Sequence, residues 1–201
     1  TPEGEEDFED YIDNESILDL ALATFRPGRN LRWHYRSRHE SLIAFSNKNF
    51  YDKELILFPS PFETHRDLGV EYRKVEGTYS GRINVAEAEA VVNETLAFMK
   101  THPNRSLGVV TVNQTQREFL VEEMDRVFAR DRFAESYREK WQETIEPFFV
   151  KNLENVQGDE RDVIFISTVY GPDETGKVFQ RFGPINSAAG HRRLNVLFTR
   201  A

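Results

Sequence analysis

Leu107-Gly108-Val109-Val110-Thr111-Val112-Asn113-Gln114 is the stretch on which the fold turns. Its first six residues form an uncharged, valine-rich run, entered from the turn-forming Pro103-Asn104 and left through Asn113. Apolar side chains that do not alternate with polar ones predict a strand covered on both faces, which is the habit of parallel sheets rather than of edge hairpins. Working outward, Asn84-x-x-Glu87 has the form of a capping box, and Val85, Ala88, Val91, Val92, Leu96 and Met99 follow it along one helical face. That helix is expected to end near His102-Pro103-Asn104. On the other side the pattern predicts a long helix over about Gln114 to Arg130 and a second carrying Phe133, Tyr137, Trp141 and Ile145. Phe148 to Lys151 and Val163 to Val169 read as two more buried strands. Strands alternating with helices predict right-handed crossovers and a parallel α/β sheet flanked by helices.

The amino-terminal part is less regular. Ile17, Leu18, Ala21, Leu22 and Phe25 recur at helical spacing before Pro27-Gly28. Ser37-x-x-Glu40 predicts a helix beginning at Ser37, with Leu42, Ile43, Phe45, Phe50 and Tyr51 on its apolar side. Leu55 to Phe58 reads as a short extended run, Val70 to Val75 as a further strand, and Gly77 to Gly81 as a turn.

Composition bounds the function. The 201 residues carry 26 basic and 34 acidic side chains, for a formal charge of −8. Nine of the acidic ones fall in residues 1–19, which hold no Lys or Arg; beyond them the balance is +1. Residues 1–16 therefore read as a solvated acidic lead, and 17–201 as one domain. A near-neutral remainder excludes a broad basic field, so nucleic-acid contact has to be local. There is no cysteine and the five histidines lack ligand spacing, so no metal site built by this chain is expected. No apolar run approaches the ~20 residues needed to cross a bilayer. The expectation is a cytoplasmic protein without a membrane partner. A chain that starts Thr1-Pro2 and stops at Ala201 inside a motif reads as an excised piece.

Parallel α/β sheets bind ligands beyond the carboxyl ends of their strands. Thr111 to Gln114, Asn152 to Glu160, and His191 to Arg193 are the polar segments expected there. Taken singly, Tyr35-Arg36 also fits a plain helix start, Gln157-Gly158-Asp159-Glu160 a plain turn, and Arg192, Arg193 and Arg200 plain surface charge. Their order along the chain is more specific. The chain resembles the second RecA-like domain of superfamily 1 helicases, in the branch that includes the nonsense-mediated-decay helicase. Tyr35-Arg36-Ser37 resembles motif IV, Val156 to Asp162 motif V, and Arg192 to Ala201 motif VI, while Val110 to Gln114 resembles the loop that touches the strand backbone. Trp33 to Tyr51 and Phe149 to Gly171 are closer still to large bacterial helicase-like proteins, many ending in a restriction-endonuclease-like domain. Two residues depart from the pattern: His34, where Gln or Asn is common, and Phe198, where an aliphatic residue is common.

The resemblance implies a RecA-like, P-loop-NTPase-type fold without its own Walker A loop, acting as the carboxy-terminal half of an ATP-dependent helicase or translocase. ATP with Mg2+ would be held mainly by an amino-terminal RecA-like domain of the same polypeptide. Tyr35 would stack on adenine, Gln157, Gly158 and Glu160 would meet the nucleotide, and Arg36 and Arg200 would act as arginine fingers. A guanidinium stays charged and matches phosphate oxygens with its planar fork, and a finger is worth about 10³ to 10⁵ in rate. Thr111, Asn113, Asn152 and Asn155 would hold single-stranded nucleic acid, DNA favoured over RNA, through its phosphates or sugars. Alone, the piece would have negligible ATPase activity. The rival reading is a binding module with degenerate nucleotide machinery. A second rival uses Gly171-Pro172-Asp173-Glu174-Thr175-Gly176-Lys177 as a phosphate loop. Val178 stands where a magnesium-binding hydroxyl is needed, however, and two acids and a proline lie inside the loop, so it reads as an exposed turn in an insertion spanning Gly171 to Gly190.

Overall fold

A central strand, β3 (Leu107–Thr111), is buried at every residue and has a parallel neighbour on each side: β4 (Phe149–Asn152) and β5 (Val163–Ser167), in the order β4-β3-β5. This architecture comes from a computed structural model that describes residues 17–29, 32–34, 37, 39–61, 68–180, 182–187 and 190–200. Ahead of the sheet come α1 (Ile17–Thr24), α2 (Glu40–Phe50), a two-stranded hairpin of β1 (Tyr79–Ser80) and β2 (Ile83–Asn84), and α3 (Val85–Thr101). The connection from β3 to β4 is made by α4 (Gln114–Phe128) and α5 (Arg132–Gln142). A 3-10 turn over Gly183–Asn186 leads into the last helix, α6 (Gly190–Phe198).

Register brings Thr111, Asn152 and Ser167 level at the carboxyl edge of the sheet. At the opposite edge, Ser106 and Asp162 bond reciprocally: the Ser106 amide donates to the Asp162 carboxylate at 3.0 Å and the Asp162 amide to the Ser106 hydroxyl at 2.9 Å. These two bonds hold β5 in step with β3. Side chains alternate along β3 as the pleat requires. Leu107 and Val109 join a core with Ala88, Val92 and Met99 of α3, Leu120, Met124 and Phe128 of α4, and Ala134 and Tyr137 of α5. On the other face, Val110 packs with Phe149, Leu153, Val156 and Leu197. Helices thus cover both faces, as the uninterrupted apolar run predicts. This is the RecA-like, P-loop-NTPase-type α/β fold.

Gly108 faces the Phe149 ring across the β3–β4 pair. A β-carbon there would lie 2.4 Å from the Phe149 ring and 2.9 Å from the Ile164 terminal methyl. The glycine leaves the space that the Phe149 ring fills.

The three helices α3, α4 and α5 start on Asn or Asp side-chain caps, which satisfy amides that have no partner inside the helix. Asn84 accepts from the Glu87 amide, Asn113 from the Gln116 amide, and Asp131 from the Phe133 and Ala134 amides. The Asp131 carboxyl is held below its usual range, first by Lys100. The capping box at Asn84 is only half formed. Glu87 turns away from the Asn84 amide, and Gln116 takes that amide instead (2.9 Å) while donating to the Asn84 carbonyl (3.1 Å). Completely buried, Gln116 clamps the base of the hairpin to α4.

Several sequence expectations are corrected. The second helix starts at Glu40, not Ser37, because the His39 ring accepts from the Ser41 amide and provides the cap. Ser37 is instead tied to the His34 ring. Val70 to Val75 forms no strand, and Leu55 to Phe58 contributes a single parallel bridge between Trp33 and Ile56. On α5 the buried stripe is Ala134 and Tyr137; Phe133 and Ile145 are exposed, Ile145 lying past the helix end. The Tyr137 hydroxyl donates to the Arg105 carbonyl, and burial raises its pKa. On α1, Ile17, Leu18 and Leu22 face solvent, as does Phe25 just beyond it.

Two substitutions probe this framework. Gly108→Ala is expected to lower the free energy of unfolding by about 1–3 kcal/mol, because Phe149 or the backbone must shift to admit a methyl group. Gln116→Leu is expected to cost about 1–3 kcal/mol, since it leaves the buried Asn84 amide without a partner and removes one of the donors to the Asn84 carbonyl. Urea denaturation followed by tryptophan fluorescence measures both.

Candidate functional site

The segment from Leu153 to Arg161 carries the chain from the carboxyl end of β4 back to the start of β5, passing beneath α6. Leu153 and Val156 are buried against Leu197 of α6. The Leu153 amide donates to the Thr111 carbonyl at 2.8 Å. Apolar side chains face inward, which leaves Glu154, Asn155, Gln157 and Gly158 exposed at the surface. Gly158 adopts φ +90°, a backbone state costly for any residue with a β-carbon, and the space its β-carbon would enter is empty to 4 Å. A phosphate or ribose can therefore approach the backbone there. Glu160 is half-buried.

Arg161 holds this segment in place. The residue is 5% exposed, with Nε and Nη2 donating to the Pro147 carbonyl at 2.9 and 2.6 Å and Nη1 to the Glu160 carbonyl at 2.5 Å. The guanidinium also lies 4.6 Å from the Phe149 ring centroid, and Asp159 forms a 2.6 Å ion pair with Lys151. Burial pulls the Arg161 pKa down, opposed first by Asp159. The Arg161 amide donates to the Arg200 carbonyl at 3.2 Å. Glu160 is thus one residue from a direct backbone tie to Arg200.

Arg200 follows the end of α6, half-buried. Its Nε donates to the Val196 carbonyl at 2.8 Å and Nη2 to the Thr199 hydroxyl at 3.3 Å. The Val196 carbonyl also accepts from the Thr199 amide and hydroxyl, so the guanidinium shares a neutral acceptor in the last helical turn, a contact that a competing phosphate could displace. Arg193, on the same helix, lies 3.4 Å from Glu154 in a partly exposed pair that adds little stability. Across α6 sits α2, with Phe45 and Phe198 4.4 Å apart between ring centroids and the Asn195 side chain donating from Nδ2 to the Tyr51 hydroxyl at 3.3 Å. Tyr35 and Arg36 lie outside the described residues.

The proposed strand contacts fall at the carboxyl edge in different settings. Thr111 is completely buried and its hydroxyl donates to the Asn113 carbonyl at 2.7 Å. Asn113 caps α4 and donates from Nδ2 to the Arg82 carbonyl at 3.1 Å. Asn152 is 5% exposed, and its Oδ1 has no hydrogen-bond partner among the described residues. Ser46, Thr95, Trp141 and Asn195 also carry a buried side-chain polar atom without a partner among the described residues. Asn155 is exposed, its amide donating to the Asn152 carbonyl. Sequence reasoning missed two elements. One is Arg161, whose burial no local pattern discloses. The other is Glu87, whose carboxylate accepts from the Ser167 hydroxyl (2.9 Å) and the Val169 amide (3.0 Å). Val169, fully buried at φ +71°, is the centre of a three-residue turn in which the Tyr170 amide donates to the Thr168 carbonyl. Such strain in a β-branched residue persists only where surrounding contacts impose it.

The turn from Gly171 to Lys177 is occupied by itself. The Asp173 carboxylate accepts from the Thr175 amide and hydroxyl and from the Lys177 amide, while Lys177 lies over the Phe179 ring. Its amides serve an internal acid and do not form a phosphate cradle.

The matching family model is described as an AAA domain and covers residues 14–201, so the chain belongs to that family. Among curated proteins it is 33% identical over 208 residues to the uncharacterized ATP-dependent helicase MG140 of Mycoplasma genitalium. To the homolog of that protein in Mycoplasma pneumoniae it is 32% identical over 209 residues. Each alignment takes in 98% of this chain, which spans 18% of the relative's length. Among the described residues no helix is long and apolar enough to cross a membrane, and no cluster of three or more His, Asp or Glu is arranged to hold a metal ion.

Arg161→Met is expected to lower stability by about 2–4 kcal/mol by stripping the Pro147 and Glu160 carbonyls of charged donors. Arg161→Lys, which keeps the charge but not the fork, should recover less than half of that loss. Urea unfolding midpoints of the two variants against the unsubstituted chain make the comparison.

Proposed function

We propose that this chain is the second motor lobe of an ATP-dependent superfamily 1 helicase or translocase, acting with an amino-terminal RecA-like lobe on single-stranded nucleic acid, DNA in preference to RNA. The observation that carries the reading is the amide-to-carbonyl hydrogen bond from Arg161 to Arg200, which joins the Gln157–Glu160 loop to the end of α6. Support also comes from the curated relatives, which are named ATP-dependent helicases, and from the lack of a complete phosphate loop in a chain that has the RecA-like sheet.

In this reading ATP with Mg2+, seated mainly on the partner lobe, supplies the phosphoryl bond whose cleavage drives movement. Glu160 accepts a ribose hydroxyl, the backbone at Gly158 admits the nucleotide closely, and Gln157 links nucleotide contact to strand grip. Tyr35 offers a flat ring to adenine. Arg200, with Arg36, presents its fork to the terminal phosphate. To do so Arg200 exchanges its bond to the Val196 carbonyl for a charge-assisted one to phosphate. On the strand side, Thr111 shapes the loop from beneath while Asn113, Asn152 and Asn155 supply neutral hydrogen-bonding groups at the carboxyl edge, suited to sugar and phosphate rather than to base reading.

In the intact polypeptide, Arg200→Ala is expected to lower ATP turnover by about 10³-fold or more while leaving single-strand affinity within a few-fold. Steady-state phosphate release and oligonucleotide anisotropy measure the two. Turnover within a few-fold of the unsubstituted protein overturns the finger assignment.

A further inference from the structure

The hairpin that precedes α3 has a feature its own turn chemistry does not require. Ser80 pairs with Ile83, leaving Gly81 and Arg82 as a two-residue loop with φ +59° and +69°. Positive φ at both positions is the geometry that glycine and asparagine adopt readily and that arginine adopts at a cost. The loop nevertheless displays Arg82, exposed and with no side-chain hydrogen bond or ion pair among the described residues.

Ties from several directions hold that tip still. The Asn113 side chain grips the Arg82 carbonyl at 3.1 Å, and Gln116 clamps the Asn84 amide and carbonyl. On the other strand of the hairpin, the Tyr79 amide donates to the Pro172 carbonyl at 2.8 Å and the Ser80 hydroxyl to Glu174 at 2.9 Å. Beside the tip, the half-buried rings of Tyr79 and Tyr170 lie 5.3 Å apart. Tyr170 is itself fixed by the strained Val169 turn and the Glu87 carboxylate. Arg82 is close enough to act electrostatically on Tyr170. An exposed guanidinium on a tethered hairpin tip, beside the Tyr79–Tyr170 ring pair at the carboxyl edge of a RecA-like sheet, has the chemistry of a single-strand grip, with guanidinium for phosphate and ring for base.

We propose that the Gly81–Arg82 hairpin tip is a further single-strand contact, in which Arg82 holds one backbone phosphate and Tyr79 stacks on the adjoining base. This rests on the single-strand reading of the domain and adds to it a charged contact that the neutral asparagines do not provide. Asn113 then has a second task, positioning the cation as well as capping α4.

The test measures binding of a fluorescein-labelled oligothymidylate to the intact polypeptide by anisotropy across a salt series. Arg82→Gly removes the charge while relieving the positive φ, so its unfolding midpoint should equal or exceed that of the unsubstituted protein. It is expected to weaken binding by about five- to tenfold at moderate salt and to reduce the slope of log K against log salt by about 0.7, the signature of one phosphate contact on a single strand. Arg82→Lys should keep the slope. Tyr79→Leu should weaken binding by about fivefold or more with the slope unchanged. Unchanged affinity and slope in Arg82→Gly overturn the phosphate contact while the single-strand reading stands. Weakened binding with an unchanged slope also overturns it, by assigning the loss to hairpin shape. Unchanged affinity in Tyr79→Leu overturns the stacking. No binding by the unsubstituted protein overturns the hairpin proposal and the single-strand reading together.

Discussion

A buried guanidinium holds the β4–β5 connection against the entry to β4. Arg161 reaches the Pro147 carbonyl at the entry to β4 and the Glu160 carbonyl in the β4–β5 connection, and its amide reaches the Arg200 carbonyl after α6. A buried charge is tolerable only when its donors are met, and here the carbonyls and the Phe149 ring meet them. Because the fork is planar and rigid, it sets distances as well as supplying attraction. Three segments far apart in sequence are thereby held within one hydrogen-bonded shell. Any chemistry that needs Glu160 and Arg200 together depends on this shell.

The carboxyl edge of the sheet shows how a rigid frame carries strain. Thr111, Asn152 and Ser167 are level there, each buried and each engaged differently. Ser167 is held by Glu87, Thr111 turns its hydroxyl into the loop that follows it, and Asn152 keeps an orphan oxygen. Next to them Val169 and Arg82 sit at positive φ, each pinned by a side chain from another element. Positive φ at two residues that carry a β-carbon persists there because contacts from other elements impose it.

Much of the architecture is legible in the residues. The unbroken apolar run at Leu107 identifies a strand buried on both faces, the spacing of Val85 to Met99 and the cap at Asn84 locate α3, and the pattern over Gln114 to Arg130 locates α4. Errors arise where local signals compete. Ser37-x-x-Glu40 has the form of a capping box, yet the His39 ring does the capping, an interaction that propensity does not anticipate. On α5 the aromatic spacing suggests a stripe through Phe133 and Ile145, but burial follows Ala134 and Tyr137 because α5 touches the core along a narrower face. For the candidate site, the segments can be read in sequence but the manner of their joining cannot. Nothing local distinguishes Arg161 from the other arginines, or Glu87 from a helix-capping acid.

Taken alone, the sequence determined the kind of sheet, the helices beside it, the lack of a complete phosphate loop and the polar segments that follow the strands. Those properties are local, set by hydrophobic periodicity, turn residues and caps. Tertiary structure alone decided that Arg161 would be a buried peg, that Glu87 would hold the turn at Val169, and that Asn113 would hold up the Arg82 hairpin. Each of these is a hydrogen bond between residues distant in sequence, made available only when the sheet and its two helical layers exclude water and leave particular polar groups facing one another.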